Sequence, residues 1–189
     1  MRRVTLEDIV GLSRYEETRD EFRRHIIDLK KRRRLAVGDE ITFVFENFDT
    51  VRFQIQEMLR AERIVDLDKV REEIEVYNEL LPGPGELSAT MLIEIDDLTR
   101  VREELPKFYG IDQCVRMEID GRAVATVFEG GRAREDKMSA VQYVRFPLGE
   151  LASRFAPGAP ASIVIDHRHY KAKADIPPEV QSSLADDLA

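Results

Sequence analysis

Cysteine is nearly missing from this chain: Cys114 is the only one in 189 residues. That excludes an intramolecular disulfide and any all-cysteine metal or cluster site within one chain, and makes a reducing compartment the default. No stretch of about 18 apolar residues occurs, and the basic start MRR is followed by no apolar run of about 7, so the expectation is a cytoplasmic protein, neither exported nor membrane-spanning. Catalytic signatures are missing too. There is no G-x-S-x-G, no Rossmann glycine fingerprint and no GxxxxGK[ST] phosphate loop, the adjacent Gly130 and Gly131 being too little for one. Glu21 stands four residues before His25, so the Glu-x-x-His pairs of di-iron bundles are absent. The residues reveal no reaction, and whether the protein is an enzyme is left open.

What is present is a globular composition. Apolar residues make up 43% and charged residues 35%, enough to bury a core under a heavily charged surface. The net charge of -8 argues against nucleic acid as a partner.

The chain pivots at residues 77–95, YNELLPGPGELSATMLIEI, where two prolines and two glycines end a helix and turn the backbone within four residues. Beyond the turn, Leu87, Ala89, Met91, Ile93 and Ile95 alternate with Ser88, Thr90, Leu92 and Glu94, the period of a strand. Before it lies mostly helix. Thr5 and Asp8 mark a short first helix, and Ser13 with Glu16 forms an S-x-x-E capping box opening a helix to about Arg33, with Tyr15, Phe22, Ile26 and Leu29 on one stripe. Residues 40–46 read as a strand, after which Asn47 or Asp49 caps a helix carrying Val51, Ile55, Met58 and Leu59. A further helix starts at Asp66 or Asp68.

After the pivot lies mostly sheet. Asp120-Gly121 between β-patterned runs predicts a type I′ hairpin that sets Val115, Met117 and Ile119 opposite Thr126, Val124 and Arg122. The glycine-rich residues 129–139 read as a mobile hairpin tip, and residues 162–170 as a last strand before a loosely held C-terminal helix. The sum is an α+β fold: a helical N-terminal half packed on an antiparallel sheet of about six strands. One domain is expected over residues 1–189, helix-rich over 1–85, sheet-rich over 86–175, with the terminal helix over 177–188.

Residues 45–64 (FENFDTVRFQIQEMLRAERI) and 77–95 together resemble a bacterial domain of unknown function, catalogued by number, whose genes often lie beside those of rubrerythrin and of iron-sulfur proteins of the heterodisulfide reductase type. The likeness covers essentially the whole chain. It implies a cytoplasmic setting near peroxide or redox metabolism and a redox protein as partner, and it supplies no catalytic residue.

Three groups carry candidate chemistry. His167 and His169 fall on one face of the predicted last strand, about 7 Å apart from a rise of about 3.3 Å per residue, on the side of Ile163 and Ile165. With His25 or a carboxylate as third ligand they would hold mononuclear Fe, Zn or Mn. Arg52, Gln56, Arg60 and Arg63 line one helix face at steps of four, four and three, a polar wall whose planar forks suit carboxylate or phosphate. Lys30, Lys31, Arg32, Arg33 and Arg34 form a run of cations that reads either as a complement to a helix C-terminus or as an anion or nucleic-acid site. Cys114 is the one nucleophilic sulfur, with Arg116 two residues on as a candidate activator.

These readings give an accessory protein that binds a ligand or partner in a redox or peroxide-stress system. The alternatives are a metal-dependent enzyme using His167 and His169, and an anion or nucleic-acid binder using residues 30–34. An edge strand in the 114–129 hairpin leaves a homo-oligomer open.

Overall fold

A computed structural model describes residues 1–97, 99–129, 133–134 and 137–188, with backbone alone at Ala133, Arg134 and Lys137. In chain order the elements are a one-turn helix Leu6–Asp8, α1 (Leu12–Lys31), β1 (Arg34–Ala36), β2 (Ile41–Phe45), α2 (Phe48–Ala61), α3 (Leu67–Asn78), β3 (Glu86–Ile93) and α4 (Val101–Glu104). There follow β4 (Val115–Ile119), β5 (Arg122–Ala125), β6 (Val127–Phe128), β7 (Ala133–Arg134), β8 (Lys137–Met138), β9 (Val141–Pro147), β10 (Ala161–His167), β11 (Tyr170–Asp175) and α5 (Pro178–Leu188). The fold is α+β, as the patterning indicates.

The strands form two larger sheets rather than one of about six: β1-β2-β3-β9-β6 and β11-β10-β4-β5, with a small β7-β8 pair. The division falls at Thr126, a single residue between β5 and β6, so one bent strand passes from the second sheet into the first. Its hydroxyl donates to the Val115 carbonyl at 2.9 Å, holding the corner where the ladder breaks. The Asp120-Gly121 turn has φ of 48° and 72°, and Met117 pairs with Val124 and Ile119 with Arg122, the expected I′ hairpin in the expected register. Of the separate segment 129–139, expected as a mobile hairpin tip, Gly130, Gly131, Arg132, Glu135 and Asp136 lie outside the described residues.

The inner faces of the two sheets enclose one core: Ile41, Phe43 and Phe45 from β2, Leu87, Ala89, Met91 and Ile93 from β3, Met117 and Ile119 from β4, Ile163 and Ile165 from β10. A second core joins α2 and α3 to the N-terminal segment through Val4, Val51, Ile55, Leu59, Val70 and Ile74, with Tyr143 of β9 packed against it. The helices thus cover the outer face of the first sheet. Here the interface is polar: buried Glu46 accepts from Thr50 at 2.5 Å, Gln54 at 3.0 Å and Thr90 at 2.6 Å, and Ser88 donates to the Leu80 carbonyl at 2.6 Å.

Several local expectations change. Helix α1 begins before the Ser13-Glu16 box, because Gly11 takes the extended geometry of an N-cap and its carbonyl accepts the Tyr15 N–H at 2.9 Å. Ser13 is already inside the helix. At α2 the cap is Asn47, whose side chain and N–H are exchanged with those of Thr50 at 3.0 and 2.9 Å. The C-terminal helix, expected to be loosely held, buries Val180, Gln181 and Leu184, and Leu184 lies in the sheet core.

Arg33 completes that attachment. The run of cations at residues 30–34 is divided: Lys31 ends α1, Arg34 opens β1 and pairs with Glu94 at 2.5 Å, and Arg33 between them is 1% exposed. Its guanidinium donates to the carbonyls of Phe45 at 2.9 Å, Glu46 at 3.0 Å and Ser183 at 3.1 Å, and pairs with the Asp187 carboxylate. The run is therefore not a continuous cationic surface.

Candidate functional site

Helices α1 and α2 lie side by side, and a groove of about 340 Å³ runs between them, lined by Val10, Tyr15, Thr18, Phe22, Arg52 and Gln56 among others. His25 and Glu21 lie along the same groove. It gathers residues from two of the predicted groups. The spacing of four between Arg52 and Gln56 and of three and seven between Tyr15, Thr18 and Phe22 presents these side chains to one another across the helix pair.

The base of the groove is rigid. Tyr15 is fully buried and donates to Glu57 at 2.8 Å, while Arg19 holds both oxygens of the same carboxylate at 2.8 Å each. The arginine fork, assisted by the tyrosine hydroxyl and opposed by burial, brings the Glu57 carboxyl down to about 2, and burial next to that carboxylate pushes the Tyr15 hydroxyl up. Phe22 meets Tyr15 edge-on at 6.3 Å and Phe53 edge-on at 5.5 Å.

Above Phe22 sits Arg52, its guanidinium 5.0 Å from the ring centroid. Its Nε donates to the Asp8 carbonyl at 2.8 Å, and its two terminal nitrogens have no hydrogen-bond partner among the described residues. Gln56 is otherwise engaged. Fully buried, it accepts the Val10 N–H at 2.7 Å and donates to the Val10 carbonyl at 3.2 Å.

The rest of the predicted wall lies elsewhere. Arg60 stands 3.5 Å from both Glu16 and Glu57, and its buried Nε makes no hydrogen bond. Arg63 follows the helix end with φ of 53°, where Ile64 N–H reaches back to the Leu59 carbonyl at 2.9 Å, the geometry of a Schellman stop. Of the four residues, Arg52 and Gln56 share the groove.

The histidines are not assembled as expected. Residues 162–170 are not one strand: β10 stops at His167, Arg168 and His169 form the turn, and His167 pairs with Tyr170 of β11. Both turn residues keep negative φ, so the turn needs no glycine or asparagine and leaves no mark in the sequence. The rings remain 5.8 Å apart. His167 is 3% exposed; its Nε2 lies 3.0 Å from the Tyr109 carbonyl and its Nδ1 3.4 Å from the His169 N–H. A carbonyl accepts and an N–H donates, so the ring is the neutral Nε2–H tautomer with both nitrogens engaged. His25 belongs to the helical groove, and among the described residues no three histidine, cysteine, aspartate or glutamate side chains cluster in a way that would hold a metal ion.

Cys114 is half-buried and donates to the Gly110 carbonyl at 3.4 Å. Burial, then the nearby carboxylates of Asp112 and Asp166, push its thiol up, the reverse of activation by Arg116. That arginine is taken up by Glu118 at 3.0 Å.

Neither the stacking of Arg52 on Phe22 nor the buried position of Glu46 is evident in the sequence. A signal for the second existed, since Glu46, Thr50 and Gln54 stand at steps of four.

The family model for proteins of unknown function designated DUF3501 matches residues 3–188. The chain belongs to the DUF3501 family. A crystal structure of a novel protein of unknown function from Burkholderia pseudomallei K96243 is similar to it over 100% of both chains, with 35% sequence identity and a TM-score of 0.93. No curated protein matches. No helix among the described residues is long and apolar enough to cross a membrane.

Proposed function

We propose that this DUF3501 protein acts as an accessory binding protein and that the α1–α2 groove takes a small anionic ligand, a carboxylate or phosphate. The observation that carries the reading is Arg52: a fork laid over Phe22 in a groove of about 340 Å³, with two nitrogens unbonded to any described residue. Planar forks match carboxylate and phosphate geometry, and His25 along the same groove supplies a second donor. The redox or peroxide-stress setting, a cytoplasmic location and a redox-protein partner come from the family resemblance and complete the proposal.

Calorimetric titration with inorganic phosphate and with benzoate tests it. Saturable binding in the native protein, weakened at least about tenfold in Arg52→Met and only partly in Arg52→Lys, is the expected result. Equal binding in all three proteins, or none in the native one, would overturn it.

A further inference from the structure

On the other side of the molecule, three strands bring Glu118, Ser162 and Asp175 into one row. Ser162 of β10 pairs with Glu118 of β4 on one side and with Asp175 of β11 on the other, so all three side chains leave the same face, each about 5 Å from the next. This is the outer face, since neighbours Ala161 and Ile163 point into the core. A groove of about 340 Å³ lies over the row, walled by residues 158–161 and the start of α5. Gln181 fixes that wall, accepting from the Gly158 N–H at 2.6 Å and donating to the Ala159 carbonyl at 2.8 Å.

Two groups in the row have no protein partner among the described residues and are open to the groove, the second of them on an exposed residue. Ser162 is only 4% exposed, yet its hydroxyl makes no hydrogen bond with any described residue, and it lines the groove. The Asp175 carboxylate has neither hydrogen bond nor ion pair among the described residues. Glu118, by contrast, is held by Lys173 at 2.9 Å and Arg116 at 3.0 Å, which leaves Asp175 as the uncompensated charge.

We infer that this groove binds a small organic cation through a primary ammonium or guanidinium group, seated between Asp175 and the Ser162 hydroxyl. The row offers acceptors, so the ligand must bring donors, and one uncompensated carboxylate selects a single positive charge. The helix at the edge of the groove does not reverse that preference: Pro177 and Pro178 at its start carry no N–H for an anion, and Glu179 adds negative charge.

Titration of the full chain with n-butylammonium and with methylguanidinium, followed by calorimetry, decides the matter. Saturable one-to-one binding is expected. It should weaken at least about tenfold in Asp175→Asn and several-fold in Ser162→Ala, and tighten in Lys173→Met, where Glu118 loses one of its two cations. Lys171→Met, on the same face but four residues along β11 from Asp175 and paired with Asp166 at 2.7 Å, outside the groove, should bind as the native protein does. Unaltered thermal midpoints in the variants keep the reading free of folding effects. Absence of saturation with both probes, or equal affinity in native and Asp175→Asn proteins, would overturn the site. Arg52→Met should leave n-butylammonium binding unchanged, so this result stands apart from the anion groove.

Discussion

Gln56 and Val10 are joined edge to edge, the side-chain amide of one taking both backbone groups of the other at 2.7 and 3.2 Å. Asn78 treats Val4 in the same way, at 2.8 and 2.9 Å. Two buried helix side chains thus supply the backbone partners that an extended N-terminal segment would otherwise find in a sheet.

Replacing Gln56 with leucine keeps the volume and leaves the Val10 N–H and carbonyl unpaired. Unfolding in urea should show a loss of about 1–3 kcal/mol. Gln56→Glu, which sets a carboxylate against the Val10 carbonyl in a fully buried place, should lose more than Gln56→Leu. Native stability in Gln56→Leu would mean that the segment is held by its apolar contacts alone.

The Arg33–Asp187 pair makes the strongest stability prediction. Removing either partner leaves a charge in a place from which water is excluded, so Arg33→Met and Asp187→Asn should each cost about 3–5 kcal/mol by denaturant titration. The double variant Arg33→Met with Asp187→Leu should be less damaged than the sum of the two, because no unpaired charge remains.

Glu57 gives a pH dependence. Its carboxyl, normally near 4.5, is held at about 2 by Arg19 and Tyr15. A depressed carboxylate contributes stability that is complete above the unfolded value and lost as pH falls through the folded one. The native protein should therefore exceed Glu57→Gln in thermal midpoint at neutral pH, and the gap should close between about 4.5 and 2. A gap that stays constant over that range would mean that the ion pair does not govern it.

Gly38 has φ of 76° and sits against Tyr170, whose hydroxyl donates to the Val37 carbonyl at 2.7 Å and accepts the Glu40 N–H at 3.0 Å. A methyl group there would run into that hydroxyl. Gly38→Ala should destabilise by about 1–3 kcal/mol, and adding Tyr170→Phe should recover part of the loss, since the contact with the hydroxyl goes while the approach to the ring carbon at 2.9 Å and the left-handed backbone stay. Strict additivity of the two changes would contradict this account.

For Cys114 the expectation is slow chemistry. With its thiol pushed up by burial and by Asp112 and Asp166, alkylation by iodoacetamide at neutral pH should run below the rate of an unfolded control and rise to it in urea.

What could be read from the sequence is local. The alternation in β3 and the Asp120-Gly121 turn were legible because each is set by residues within a few positions of one another. The α+β class followed from them. The division into two sheets was not legible, because it rests on one residue, Thr126, in a run that patterns as uninterrupted strand. Nor was the role of Arg33, whose carboxylate partner is 154 positions away. In the helical groove, the four-residue step joining Arg52 to Gln56 was visible, while the distinction between them was not: one amide is spent on Val10, and one fork is left over. That depends on where residues 8–10 pass, which periodicity does not encode.

The distance between Arg33 and Asp187 along the chain also sets an order of events during synthesis. The arginine leaves the ribosome with α1 and β1, 154 residues before its carboxylate. Until then, closing the corner around Phe45 and Glu46 would strand a desolvated cation, a cost that holds this part of the core open. The helical layer around Val51 and Ile74 makes no such demand and is free to gather first. The sheets should close over their shared core only once residue 187 has emerged, so a nascent chain stalled short of it should remain protease-sensitive at β1 and β2.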